Sequence, residues 1–211
     1  MGRAERIAGI SGITGAALFA VGSAIWGLDM PEDGTPVAEV VAWYEDVADR
    51  IVIGGSLSLL AVAAFLVFAG AMRRVLADAE GDDVLATTAF GGFLLAMTVG
   101  IGAEGINLVA GLRAQDDELG EGLAQALFEV SQILGGVLTA VGLGVFAVAT
   151  AVVTLRSRLV LPRWLAVFTL VLGIVLLTPL AHVNWFAGAA LTVLGGTIGA
   201  ALLLRAPERV A

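Results

Sequence analysis

Six polar side chains fall near one predicted end of a group of apolar helices, and two of them are carboxyls. Because two carboxyls in a site of low dielectric cannot both stay ionised without a large penalty, the pair could hold a proton or a cation. Each carboxyl also has an amide three residues further along its own helix face. The predicted cluster comprises Glu104, Asn107, Glu129, Gln132, His182 and Asn184.

An alternative interpretation removes Glu129 from this cluster. Both glutamates would then lie close enough to the outer surface to meet interfacial water, and Glu129 would pair with Arg113 or cap its own helix. Glu104 is the stronger candidate of the two. A metal site formed by Glu104, Glu129 and His182 is chemically conceivable, since carboxylate and imidazole suit several divalent ions. No two of these residues have a local ligand spacing, so neither a metal nor another cofactor is predicted.

The missing residue types exclude several chemistries. The chain has no cysteine, no lysine and a single histidine, His182. Disulfides, thiol nucleophiles, iron–sulfur clusters, Schiff-base lysines and multi-histidine metal sites are therefore excluded within one chain. The serines have no general base at a readable spacing, and hydroxyls in apolar helices usually bond to their own backbone. An intramembrane enzyme is accordingly the weakest of three candidate functions.

The elements that must position the cluster are membrane-spanning helices. Of the 211 residues, 59% are hydrophobic and 14% are charged, with a mean hydropathy of +0.97. A spanning helix needs about 20 mostly apolar residues, and six such runs are present. The predicted fold is all-α, a single polytopic helix bundle with spans at 7–28, 51–72, 84–111, 123–155, 164–180 and 183–204.

Arginine placement predicts how the bundle is oriented. Nine of the eleven arginines lie on one side of a six-span arrangement, and Arg50 and Arg113 lie on the other. Since cytoplasmic loops retain positive charge, both termini should be cytoplasmic in a cell (inner) membrane protein. The acidic residues concentrate on the outer side, and the net charge is −8. This charge disfavours nucleic acid as a partner.

The largest outer segment contains a predicted amphipathic helix at 36–50, which begins at Pro36 and leads into the second span. We expect it to rest on the bundle or on the membrane surface. Trp26, Trp43 and Trp185 fall at the outer boundary and Trp164 at the inner one, a pattern typical of an interfacial aromatic belt.

Small residues at every fourth position mark faces where membrane helices pack closely. Glu104 continues one such stripe, so it should point into the bundle rather than into lipid. The glycines predicted to lie at helix contacts are Gly12, Gly92, Gly100, Gly136 and Gly144.

Two segments resemble a group of uncharacterised actinobacterial multi-pass membrane proteins. The run from Leu161 to Leu165, Leu-Pro-Arg-Trp-Leu, is similar to the start of their penultimate span. Residues 41–74, with Trp43 and Tyr44 before a span that ends in paired arginines, are also similar to that group. The resemblance implies a fold of about six spans and no known reaction or substrate.

Two functions remain beside the enzyme. The favoured prediction is a non-catalytic membrane subunit or scaffold, which needs only its packing faces, the lipid bilayer and a partner, either a second copy or another membrane protein. The alternative is a small proton- or cation-coupled transporter that uses the Glu104/Glu129 cluster from the outer side. A cavity beside Glu104 that reaches into the membrane would distinguish these two functions.

Overall fold

The computed structural model describes residues 2–32, 34–81, 83–157, 160–178 and 186–204, and these contain helices and no strand. The predicted all-α membrane bundle is thereby confirmed. The helices are α1 (Arg3–Trp26), α2 (Val37–Glu80), α3 (Val84–Gln115), α4 (Glu121–Gln132), a π-helical segment (Ile133–Leu138), α5 (Thr139–Ser157), α6 (Arg163–Leu176) and α7 (Phe186–Leu204).

When α4, the π-helical segment and α5 are taken as one continuous helix, successive helices run antiparallel. The start of α1 and the end of α7 therefore lie at the same end of the bundle. Gly9, near the start of α1, packs against Leu203 at the end of α7, and Gly188 at the start of α7 packs against Phe19. We call this the terminal end, and the opposite end, where α4 begins, the loop end.

Five of the helices are long and apolar enough to cross a membrane: α1, α2, α3, the combined 37-residue helix Glu121–Ser157, and α7. The fifth predicted span, 164–180, differs from the structure, because α6 has only 14 residues and ends at Leu176. At 1.5 Å per residue it covers about 21 Å of a ~30 Å hydrocarbon core. Pro179 follows shortly in the sequence, and a proline disfavours helical backbone in the residue before it.

The predicted outer helix and second span form one helix, which corrects their division at residue 51. α2 runs unbroken through 44 residues, or about 66 Å. No proline interrupts it after Pro36, and its first turns gain support from packing. Val40, Tyr44 and Val47 are almost completely buried. The apolar face of this segment therefore rests on the loop end of the bundle and not on the membrane surface.

The fourth long helix, Glu121–Ser157, changes in its middle from α-helical to π-helical hydrogen bonding and back. Residues Ile133–Leu138 are π-helical between α4 and α5. The Thr139 hydroxyl donates a 2.8 Å hydrogen bond to the Leu134 carbonyl, five residues earlier. The Leu134 carbonyl also accepts the backbone N–H of Thr139, so it receives two hydrogen bonds in the wider turn of the π-helix. Such insertions often accompany functional sites.

Glycines lie where several helix backbones approach most closely. Gly12 meets the Gly195 carbonyl of α7, Gly92 meets the Gly142 carbonyl of α5, and Gly144 meets the Gly173 carbonyl of α6. Gly136 is buried in the π-helical segment. Gly100 does not follow this pattern. The nearest atom to a Cβ built there is Thr139 Oγ1 at 3.7 Å, so Gly100 does not form the tight contact that its stripe predicts.

The antiparallel order gives a direct test of topology. Gly34 and Gly120 lie in connections at the loop end, and Gly81 lies in a connection at the terminal end. A Cβ built at any of these three glycines would have no neighbouring atom within 4 Å. We expect reporters inserted at Gly34 and Gly120 to be active outside the cytoplasm and one inserted at Gly81 to be active inside. If all three reporters show the opposite activity, the orientation predicted from the arginines is wrong. If the reporters at Gly34 and Gly81 are active on the same side of the membrane, the result contradicts the fold.

Candidate functional site

A cavity of about 360 Å³, partly open to the surface, lies in the half of the bundle nearer the loop end. Residues from α1, α2, α3, α7, the α4–α5 helix and the connection after α1 line it. It separates two buried apolar cores. The terminal core contains Phe65, Phe68, Phe93 and Phe146, and the loop-end core contains Trp26, Trp43, Tyr44 and Phe128. Phe65 forms the cavity floor and Trp26 its roof.

Glu104 projects from α3 into this cavity. Its Oε2 atom is completely buried and has no hydrogen-bond partner among the residues that the structure describes. On the facing helix α2, a Cβ built at Gly55 would lie 3.8 Å from this oxygen. The small Gly55 therefore leaves room for the carboxyl beside α2 without offering it a partner.

Two of the predicted amides lie in the same cavity wall but are already engaged. Asn107 Oδ1 accepts a 3.2 Å hydrogen bond from the buried Tyr44 hydroxyl. Gln132 Nε2 lies 3.0 Å from the sulfur of Met30, in the connection after α1. These contacts tie α3 and the α4–α5 helix to the loop end, and neither amide reaches Glu104 Oε2.

Glu129 does not join the cluster, which corrects the predicted pairing of the two glutamates. Its side chain is exposed, accepts a hydrogen bond from Gln125 and does not line the cavity. Arg113 pairs with Glu118 instead, at 3.2 Å. The other two members of the predicted cluster, His182 and Asn184, lie outside the described residues.

Two further polar atoms in the cavity wall lack partners within the described part of the chain. They are Trp26 Nε1 and Ser58 Oγ, and neither residue belonged to the predicted cluster. A Cβ at Gly54 would lie 2.6 Å from Trp26 Cδ1. Gly54 and Gly55 are adjacent, so the same short stretch of α2 leaves room for both the Trp26 ring and the Glu104 carboxyl. The glycine pair in the sequence was the available signal for this arrangement.

Only apolar residues of the cavity lining are exposed at the surface of the described protein. Of the lining residues, those that are exposed at the surface are Ala20, Ala24, Leu28, Ile101 and Ala189. The polar lining residues are buried or half-buried. A molecule that approaches the cavity therefore meets hydrocarbon first and polar groups only inside.

Glu104 is the only formally charged residue among the described residues that line the cavity. No group of three or more histidine or acidic side chains in the described ranges is arranged to hold a metal ion. The arrangement thus offers one carboxyl, a few hydrogen-bonding groups and an apolar enclosure.

Antiparallel apolar helices around a cavity with a buried carboxyl define a multi-pass helical membrane protein. The chain belongs to a family of unknown function, DUF6796, whose model matches residues 2–203. Neither the curated proteins nor the solved structures include a significant match.

Proposed function

We propose that this protein is a small-molecule carrier of the membrane, which takes a lipophilic molecule from the bilayer and holds its polar group at Glu104. The observation that carries the proposal is the Oε2 atom of Glu104, which is buried in the cavity wall without a hydrogen-bond partner in the described chain.

A buried polar group without a partner costs free energy, so its presence calls for a specific explanation. Ionisable residues within membrane helices most often serve ion or substrate pathways. The cavity volume falls within the ~300–1,000 Å³ of typical ligand sites, and its walls combine apolar surface with few polar groups, as in such sites. Size, chemistry and the unpartnered carboxyl therefore support the same function.

The apolar rim indicates the route of the ligand. Ala20, Ala24 and Ala189 offer no polar group to a solute that arrives from water, whereas a molecule dissolved in the bilayer loses little on passing them. Once inside, its polar group would find Glu104. In this apolar surrounding the carboxyl either takes up a proton and becomes neutral or stays ionised beside a counter-charge that the ligand supplies.

Coupling to a proton or cation, which the transporter alternative predicted, is retained here for Glu104 without Glu129. The scaffold function stays a prediction. Its best surface is the outer face of α6, where Trp164 is 69% exposed beside Val167 and Val171, and lipid would cover that face equally well. Cytoplasmic termini and an actinobacterial origin also stay predictions.

Photolabelling in liposomes tests whether the cavity is occupied. Trifluoromethyl-phenyl-diazirine is a small neutral probe that dissolves in the bilayer and inserts into nearby side chains on illumination. We expect strong labelling of Glu104 and of its neighbours in α3. In Gly100→Leu the added side chain should fill the cavity, because only Thr139 lies near that position, and labelling of Glu104 should fall about fivefold or more.

Gly91→Leu is the matched control, since Gly91 lies on the same helix with no atom within 4 Å of a built Cβ. Labelling of the exposed α6 face provides an internal standard for access from lipid. If wild-type Glu104 is labelled no more than the enclosed Phe93, or if Gly100→Leu leaves its labelling unchanged, the proposed carrier loses its binding site.

A further inference from the structure

We infer that the ligand of this cavity is a small lipophilic cation, an amine or a quaternary ammonium group on an apolar body. This inference rests on the proposed function and specifies its substrate class.

Charge is the first argument. Glu104 is the only formal charge in the described cavity wall, so the enclosure is an uncompensated acidic site. Three arginine–carboxylate pairs elsewhere, Arg50–Asp46, Arg73–Asp83 and Arg113–Glu118, are solvent-exposed and satisfy one another. An anionic ligand would place like charges together at low dielectric, whereas a cation supplies the missing counter-charge.

Aromatic rings provide the second argument. Phe19, Phe65 and Trp26 all line the cavity, from different positions around it. The negative face of an aromatic ring attracts ammonium groups, most strongly for tryptophan, and the attraction grows when water is excluded. Trp26 and Glu104 approach the adjacent glycines Gly54 and Gly55 of α2. A cation beside α2 could therefore meet the carboxyl and the indole together.

The rest of the wall defines the body of the ligand. Val62, Met97 and Leu191 are among the apolar side chains that complete the lining, and the rim is apolar as well. A strongly hydrated ion such as sodium would exchange its water shell for a mainly apolar wall in which Glu104 is the only formal charge among the described residues. A cation whose charge is shielded by carbon fits both the carboxyl and the walls.

An isosteric pair of competitors separates charge from shape. Benzyltrimethylammonium and neopentylbenzene differ in one atom, a quaternary nitrogen in place of a quaternary carbon. In the photolabelling assay we expect the cation to protect wild-type Glu104 at a concentration at least about tenfold lower than the hydrocarbon, both compared at their membrane-bound concentrations. In Glu104→Gln the labelling is measured on the neighbouring residues of α3. This variant should be protected equally by the cation and the hydrocarbon, and the hydrocarbon should still compete with the photolabel.

Uptake into proteoliposomes provides an independent measurement. The cation is tested with an inside-negative membrane potential and the anion with an inside-positive one. Radiolabelled benzyltrimethylammonium should enter proteoliposomes faster than it enters protein-free liposomes. Benzylsulfonate should not, and Glu104→Gln should return cation entry to the protein-free rate. Gly91→Leu, which lies outside the cavity, should keep the wild-type rate.

The outcomes distinguish the two proposals. Equal protection by the isosteric pair, or uptake of benzylsulfonate instead of the cation, would overturn the cationic ligand and leave a carrier in place. Protection by neither compound, together with the absence of uptake of either ion, would overturn the carrier and the cationic ligand with it.

Discussion

Replacing Glu104 by methionine should make the protein more stable while it abolishes ligand binding. The Oε2 atom of this carboxyl is buried and has no hydrogen-bond partner in the described chain, whereas methionine has a similar length and no charged or strongly polar group to desolvate. Removing an unsatisfied buried polar group recovers about 1–3 kcal/mol. For a chain of this length that gain corresponds to roughly 2–4 °C in melting temperature per kcal/mol, measured in detergent without ligand.

The matched control is Glu129→Met, the same substitution at an exposed glutamate on the neighbouring helix. Its melting temperature should stay near that of the wild type. A marked fall for Glu104→Met would instead show that the carboxyl supports the fold, and the site would then have to be explained as structural. Stability sacrificed at a functional residue is common, because selection acts on activity above a stability threshold.

The second large effect is expected at a helix crossing. A Cβ at Gly92 would lie 2.8 Å from the Gly142 carbonyl oxygen and 2.9 Å from the Phe146 amide nitrogen. Both are backbone atoms of α5, so the contact can be relieved only by moving a whole helix. Gly92→Ala should therefore lower the free energy of unfolding by about 1–3 kcal/mol, read as a lower melting temperature in detergent.

Gly91 provides a neighbouring control with the opposite expectation. The position is exposed and a Cβ there meets nothing within 4 Å, so Gly91→Ala should be neutral or stabilise the helix by up to roughly 1 kcal/mol. Equal melting temperatures for Gly91→Ala and Gly92→Ala would contradict the close α3–α5 approach.

Much of the fold is predictable from hydropathy, because lipid forces each crossing to satisfy its own backbone hydrogen bonds. The bundle and the placement of Gly92 follow from that constraint and from small-residue spacing. The length of α6 does not, since residues up to 180 remain apolar although the helix ends at Leu176. Hydropathy measures the preference for lipid and contains little information on where helical backbone stops.

The candidate site was only partly predictable. Glu104 was found because a small-residue stripe places it inside the bundle, and the structure lines the cavity with it. Glu129 was grouped with it because both carboxyls fall near the same predicted end of the helices and each has an amide three residues further along its own face. The π-helical segment Ile133–Leu138 lies between Glu129 and α5, and its wider turn shifts the face on which Glu129 lies relative to α5.

Trp26 illustrates a different ambiguity. Its position at the end of the first span predicts an interfacial anchor, yet only 5% of it is exposed and it forms the cavity roof. An indole at a membrane boundary and an indole buried just inside it have the same sequence signal. Only the packing of Trp43 against it, at a ring separation of 6.1 Å, distinguishes the two.

The separation of the two cores has a consequence for biosynthesis. Every member of the loop-end core lies between Trp26 and Phe128, so that core can assemble before the last third of the chain has left the ribosome. The terminal core needs residues as late as Leu202, and α7 also supplies Leu191 and Thr192 to the cavity wall. The cavity is therefore the last part of the described molecule to be completed, and a chain that stalls before α7 would lack that side of its wall.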